Sequence, residues 1–363
     1  MLKRFFHITD KSLFYVSIAL CCIGLISVFS ATSSFDNGLR MFIVQIFCVL
    51  IGLLLFFSLN FISIEAIEKL AKYIYILTCS ILVLALIFGR GKSETGTNGW
   101  IRFWGIGVQP AEIAKIGFIL SLSAHIKYIK SRYASINESK PLLMLILHVA
   151  LPICLILLQP DLGTALVFIF IFAVLLFLNG LSMKYILWTI GILLIVSPLI
   201  YFFLLNPAQQ SRFLSFLNPN DYSRGAGYNV AQAKLAIGSG GIIGQGYLKG
   251  FQTGSPYLPA KHTDFIFACI AEEWGLLGCT VLISLLGFVL YKLFVSFTRE
   301  EESFRRNIII GMFAYLFFHI FENIAMNLGL MPVTGIPLPF ISYGGTSMIT
   351  AILAIALVNL ARE

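Results

Sequence analysis

Leu162-Gly-Thr-Ala-Leu-Val-Phe-Ile-Phe-Ile-Phe-Ala-Val-Leu-Leu-Phe-Leu178 carries no charge along its length. As a helix rising about 1.5 Å per residue, such a run covers most of a hydrocarbon core about 30 Å thick. Leu13–Ser30 reads the same way. Membrane-spanning strands would alternate apolar and polar residues in segments of about ten, and these runs do not alternate. Ten candidate spans follow along the chain: 12–32, 40–58, 68–88, 110–127, 142–158, 161–179, 184–205, 263–292, 306–331 and 340–361. Composition agrees. Of 363 residues, 58% are hydrophobic and 12% charged, against about 25% charged in soluble domains. Mean hydropathy is +0.91. A water-soluble enzyme, a secreted disulfide scaffold and a disordered chain are excluded. The expected fold is an all-α integral membrane protein: a polytopic bundle of about ten transmembrane helices. It forms one domain over 1–363, with a large extracytoplasmic loop at 206–262. The seven cysteines all fall inside predicted spans and read as small apolar fillers.

With the N-terminus inside, ten spans return the C-terminus to the same side. The inner segments then hold Lys3, Arg4, Lys11, Lys69, Lys72, Lys127, Lys130, Arg132, Lys140, Lys184, Lys292, Arg299, Arg305, Arg306 and Arg362. The short outer loops hold only Arg40, Arg90, Lys92 and Arg102. That bias obeys the positive-inside rule. The net charge of +8 is therefore an orientation and anionic-lipid signal, and no nucleic-acid partner is expected. The polar detail gathers on the outer face, in 90–109, 206–262 and 332–340, while the inner loops are plain. Work on the outer face follows from that asymmetry.

Four outer elements carry chemistry. Gln109-Pro-Ala-Glu-Ile-Ala-Lys115 opens a helix on Pro110 and sets Glu112 and Lys115 on one helical face, as an ion pair or as ligand-binding charges. Gln159-Pro-Asp-Leu-Gly-Thr164 places Asp161 before an apolar helix, as an N-cap or as an acidic group at the mouth of a cavity. Gly227–Gly238 reads as a short amphipathic helix that Asn229 would cap. The glycines of 238–246 fit no nucleotide motif. Leu258-Pro-Ala-Lys-His-Thr-Asp-Phe-Ile-Phe267 sets Asp264 at a helix entrance beside Lys261 and His262. It is either a helix cap or a carboxylate able to take a proton from a sugar hydroxyl. Deeper in the bundle, Glu272, Glu273 and Glu322 must be paired, protonated or cavity-facing, with His319, Asn323 and Asn327 forming a polar stripe. The prolines and glycines of Met331–Thr346 predict a broken segment, which at membrane depth survives only when buried in protein or lining a cavity.

These motifs, with Ala271-Glu-Glu-Trp-Gly and Gly335-Ile-Pro-Leu-Pro-Phe-Ile-Ser-Tyr-Gly-Gly, resemble the SEDS family (shape, elongation, division and sporulation), in order and over nearly the whole chain. Gly227–Gly241 and Met331–Phe340 resemble its elongation branch more than its division branch. The chain departs from the family pattern at Ala260, where an acidic residue is usual, and near Gly99, where an Arg is usual. The resemblance implies a peptidoglycan glycosyltransferase. It would polymerise lipid II into a growing glycan strand on the outer face of the bacterial cytoplasmic membrane. Its expected partners are a class B penicillin-binding protein and other elongation-complex membrane proteins.

The family's essential Asp maps onto Asp264, and the charges of its Gln-Pro motif onto Glu112 and Lys115. The resemblance thus casts Asp264 as the catalytic base. Glu112, Lys115, Arg40, Arg102, Asp161, Lys261 and His262 are the substrate-binding candidates. Lys115, Arg40 and Arg102 are the cations for the leaving pyrophosphate. A divalent cation (Mg or Mn) would serve the same end, at a site the sequence does not locate. No organic cofactor is expected. A lipid II flippase, or a scaffold that only activates the penicillin-binding protein, are the alternatives. The plain inner loops favour the enzyme over a transporter, which would decorate both faces.

Overall fold

In the computed structural model, the described residues are 7–89, 99–103, 106–199, 201–202, 205, 207–217 and 225–362. Nearly all of them are helical. The long helices are α1 (Lys11–Thr32), α2 (Gly38–Leu59), α3 (Ile64–Phe88), α4 (Pro110–Arg132), α5 (Ser139–Leu157), α6 (Leu162–Leu178) and α7 (Met183–Leu199). After the outer-loop helices α8 (Pro207–Leu217), α9 (Ala226–Gly240) and α10 (Phe251–Gly254) come α11 (Ile266–Arg299), α12 (Ser303–Asn327) and α13 (Gly345–Ala361). A hairpin, β1 (Ile101–Phe103) with β2 (Ile106–Val108), is antiparallel, with Ile101 opposite Val108. The chain is a multi-pass membrane protein. Among the described residues, six helices are long and apolar enough to cross a bilayer, and α6 and α13 are shorter apolar ones.

Local chemistry sets the helix starts. Asp10 accepts the Leu13 N–H at 3.1 Å and caps α1. The same carboxylate binds Arg362 at 2.6 Å and Lys292 at 3.0 Å, so the start of α1, the end of α13 and α11 meet there. Pro110 occupies the first turn of α4, where its missing N–H costs nothing. Glu302 caps α12 through the Phe304 and Arg305 N–H groups. Most long helices are outward-facing, with exposed Phe47, Leu54, Ile76 and Leu147 suited to lipid. Helix α12 is instead the buried axis of the bundle, packed against α4, α6, α11 and α13.

Three expected spans are drawn differently. The 263–292 span begins as a helix at Ile266 and is broken at Gly275, whose φ of 65° and ψ of −164° are not helical. The break is sealed by the glycine loop after α9. Gln245 and Gly246 donate to the Glu272 and Glu273 carbonyls, and Leu276 and Leu277 donate to Gly241 and Ile242. Those glycines thus satisfy a helix interruption rather than cradle a phosphate. The 306–331 span shifts back to α12 and the 340–361 span shrinks to α13, and the segment between them is the predicted broken one. Helix α9 is present, but Gly225 rather than Asn229 is its cap, because the helix starts four residues earlier than Asn229 would require.

Candidate active site

Asp264 lies in the turn before α11, outside the spanning helix and at the α12 C-terminal end. It is not the cap of α11. That position belongs to Phe265, and no side chain caps it. The backbone around Asp264 is held from three sides. The Ala260 carbonyl accepts the N–H groups of Thr263, Asp264 and Phe265 at 3.1–3.2 Å. The Asp264 carbonyl accepts the Asn323 and Asn327 side-chain amides at 3.0 and 2.9 Å. From the broken segment, Tyr343 donates its N–H to the His262 carbonyl at 2.8 Å, and Ser342 donates its hydroxyl to the Thr263 carbonyl at 2.7 Å. Ala260 and Phe340, one on each side of this clasp, hold left-handed φ values of 52° and 66°. Strain of that kind persists only where surrounding structure over-determines it.

The carboxylate is half-buried and faces Gly335. Burial raises the Asp264 carboxyl above the ordinary carboxylate range, against the lowering pull of Thr263 and of the Arg212 guanidinium. Glu322 of α12 stands close enough to feel the Asp264 charge. One Glu322 oxygen bonds Thr334, and the other is buried without a partner among the described residues.

The other expected residues divide into supports and surface groups. Lys115 is fully buried. It bonds Glu112 at 2.7 Å and His319 Nε2 at 2.9 Å, and lies over the Tyr315 ring. His319 Nδ1 lies 3.2 Å from the Pro337 carbonyl, which fixes the ring with Nδ1 as donor and Nε2 as acceptor from Lys115. Through His319 and the Pro337 carbonyl, Lys115 and its partner Glu112 brace the broken segment from behind. Asp161 is a cap: it accepts the Thr164 N–H at 3.0 Å and the Thr164 hydroxyl at 2.9 Å, with the Gln109 amide at 3.2 Å. Lys261 is buried too. It donates to Ser34 Oγ at 2.8 Å, to the Ser255 carbonyl at 3.0 Å and to the Thr253 carbonyl, tying α10 to the turn after α1. His262 is half-buried against Phe35 and Tyr343. Burial, with the Lys261 charge adding, pushes its pKa down to about 4, so the ring is neutral at pH 7. Arg40 is exposed in the first turn of α2 and its charge reaches Tyr343. Arg102 sits opposite Gly107 in the hairpin, and its side chain lies outside the described residues.

The FtsW/RodA/SpoVE cell cycle protein family matches residues 10–363. The chain belongs to that family. It is 33% identical over 340 residues to the peptidoglycan glycosyltransferase MrdB of Escherichia coli, covering 94% of this chain and 90% of that one. It is 34% identical over 367 residues to the probable peptidoglycan glycosyltransferase FtsW of Bacillus subtilis, covering 96% and 89%. A solved peptidoglycan synthase complex, described as coordinating polymerization and crosslinking, superimposes with a TM-score of 0.82 at 31% identity, over 97% of both chains. The rod-shape-determining protein RodA of Thermus thermophilus gives 0.71 at 29% identity, over 97% and 96%. This SEDS chain therefore shares its fold with those proteins from end to end.

The structure gives roles to residues that the sequence left without one. Arg212 on α8 is the cation whose charge reaches the carboxylate. With Lys234 of α9 it lines a niche of about 20 Å³ against Gly329–Val333, room for a single water. Asn323 and Asn327 were legible only as a stripe, since nothing in α12 says that their amides meet a carbonyl 60 residues upstream in the chain. Glu272, an unassigned intramembrane acid, caps α10 by accepting the Gln252 and Thr253 N–H groups at 2.8 Å.

Proposed function

We propose that the outer end of the bundle, around Asp264, is where this chain polymerises lipid II. The chain is a peptidoglycan glycosyltransferase: it belongs to the SEDS family, and relatives aligned along nearly its whole length carry that name. The single observation behind the assignment is that Asp264 has its backbone clasped from three sides while its carboxylate caps no helix. Such a group is positioned for chemistry rather than for folding.

The 4-hydroxyl of one lipid II attacks the anomeric carbon of the growing strand. Asp264 takes the hydroxyl proton as the new glycosidic bond forms and undecaprenyl pyrophosphate leaves. A single displacement inverts the anomeric centre. A carboxyl raised by burial is a stronger base than a solvated one. Arg212 and Lys234 replace Lys115 as the cations proposed to meet the pyrophosphate, because Lys115 is spent on Glu112 and His319. Among the described residues no three His, Cys, Asp or Glu side chains cluster to hold a metal. Magnesium is characteristically held by one or two carboxylates together with substrate phosphates, so Asp264 and the pyrophosphate are the groups that would bind Mg or Mn.

The orientation follows from the charges. The start of α1 and the end of α13 meet at the Asp10–Arg362 pair, at the end that also holds Lys127 and Arg305, which we assign to the cytoplasm, and Asp264 lies at the opposite end. A class B penicillin-binding protein is the proposed partner, by likeness to the synthase complex. Purified protein with that partner should polymerise lipid II, and Asp264→Asn, which keeps size and hydrogen bonding, should abolish it. Near wild-type polymerisation by the Asn variant would remove the base assignment.

A further inference from the structure

A second cleft lies away from Asp264. Its lining residue Lys127 pairs with Glu302 at the start of α12, about 30 Å along that helix from Asn323 at 1.5 Å per residue. Its volume is about 640 Å³, between α3, α4 and α5. Inside it, His125 and His148 face each other with their Nδ1 atoms 3.2 Å apart, so one ring must donate to the other. Ser121 Oγ lies 3.3 Å from His148 Nε2. Tyr75 stacks on His148 at 4.1 Å and donates its hydroxyl to the His148 carbonyl, which pins that ring. His125 Nε2 has no hydrogen-bond partner among the described residues.

The rim is cationic. Lys127 is held by Glu68 and Glu302, both at 2.8 Å. Lys69 and Lys72 are exposed at the mouth and make no ion pair among the described residues. The flanks next to the mouth are exposed and apolar: Tyr73, Ile76 and Leu77 on α3, Leu147 on α5. A soluble anion has no use for those flanks, whereas a lipid covers them with its acyl chains. Basic pockets between spanning helices on the cytoplasmic side are the usual seats of anionic headgroups.

We propose that this cleft binds the phosphate headgroup of an anionic phospholipid from the cytoplasmic leaflet, with Lys69 and Lys72 at the rim. The leaflet named rests on the orientation proposed above; the lipid itself rests on the cleft.

The full-length protein is reconstituted in vesicles of equimolar phosphatidylglycerol and phosphatidylcholine, extracted in mild detergent, and its retained lipid read by native mass spectrometry. Wild type should retain phosphatidylglycerol over phosphatidylcholine. Lys69→Gln/Lys72→Gln should weaken that retention by about thirty-fold. Ala124→Leu, which fills the cleft without changing charge, should weaken it too, and Lys184→Gln, a cation of α7 outside the cleft, should not. Unchanged retention in both cleft variants, equal loss in Lys184→Gln, or complete displacement of lipid by inorganic phosphate would each overturn the proposal. Retention is read without polymerisation, so a failed glycosyltransferase assignment leaves the result interpretable.

Discussion

Truncating Asn327 to Ala tests whether the clasp on Asp264 serves catalysis. The Asn327 amide donates to the Asp264 carbonyl at 2.9 Å and to the Asn323 carbonyl at 2.8 Å, and its oxygen accepts the Ala268 N–H at 3.2 Å. All three bonds are lost in the variant. None of the partners is orphaned: the Asp264 carbonyl keeps Asn323 at 3.0 Å, and the Ala268 N–H keeps the Phe265 carbonyl at 3.1 Å. The stability cost is therefore that of ordinary net hydrogen bonds, about 2–4 kcal/mol for the three. The catalytic cost is separate. With one anchor gone the Asp264 peptide can shift, and a displacement of about 1 Å costs on the order of 100-fold in rate. Turnover of labelled lipid II should fall by about 10- to 100-fold with KM nearly unchanged, in protein that still unfolds cooperatively on heating. Asn327→Asp, which turns an acceptor toward the Asp264 carbonyl, should be at least as damaging. Turnover within twofold of wild type in folded Asn327→Ala would refute the positioning role.

Two further outcomes follow from the same geometry. Activity should rise with pH along a limb set by Asp264, because the base works only when deprotonated, and that limb should lie above the range of an ordinary carboxylate. The Arg212 charge holds that carboxyl down, so Arg212→Gln should move the limb to higher pH, read from initial rates across a pH series; an unmoved limb would separate the two groups. At the break in α11, a Cβ on Gly275 would meet the Gly244 nitrogen at 2.3 Å in a backbone of φ 65°, so Gly275→Ala should lose folded protein on size exclusion. Gly287, on the same helix with nothing within 4 Å, is the matched control, and Gly287→Ala should be tolerated.

Span positions were legible because apolar runs must match the bilayer, and Leu162–Leu178 appears as α6 with the same bounds. The break in α11 was not legible, because Gly275 inside an apolar helix reads as a small packing residue. Only the loop returning from α9 reveals the hydrogen bonds that replace the missing helical ones. At the site, motif chemistry pointed to Asp264, but the other charges could not be sorted from sequence. An Asp before a helix is a cap or a base according to whether the following N–H groups turn toward it. Thr164 turns toward Asp161, and no N–H of α11 turns toward Asp264. Lys115 was a candidate cation and Arg212 carried no signal, until tertiary packing buried Lys115 behind the Pro337 segment and left the Arg212 charge within reach of the base.

That division of labour has a physical logic. A charge inside a membrane protein must be compensated, and compensation by fixed protein groups removes it from service. Glu112 and Lys115 neutralise each other, Glu272 is consumed by the α10 N–H groups, and Lys261 by two carbonyls and a hydroxyl. Each spent charge pins a piece of irregular backbone: the Pro337 segment, α10, and the turn at Ser34. Those pieces, with the Asn323–Asn327 stripe, form the clasp and its immediate support. Asp264 can therefore keep its carboxylate uncommitted at the edge of the bilayer because the neighbouring ionic groups rigidify its surroundings instead of pairing with it.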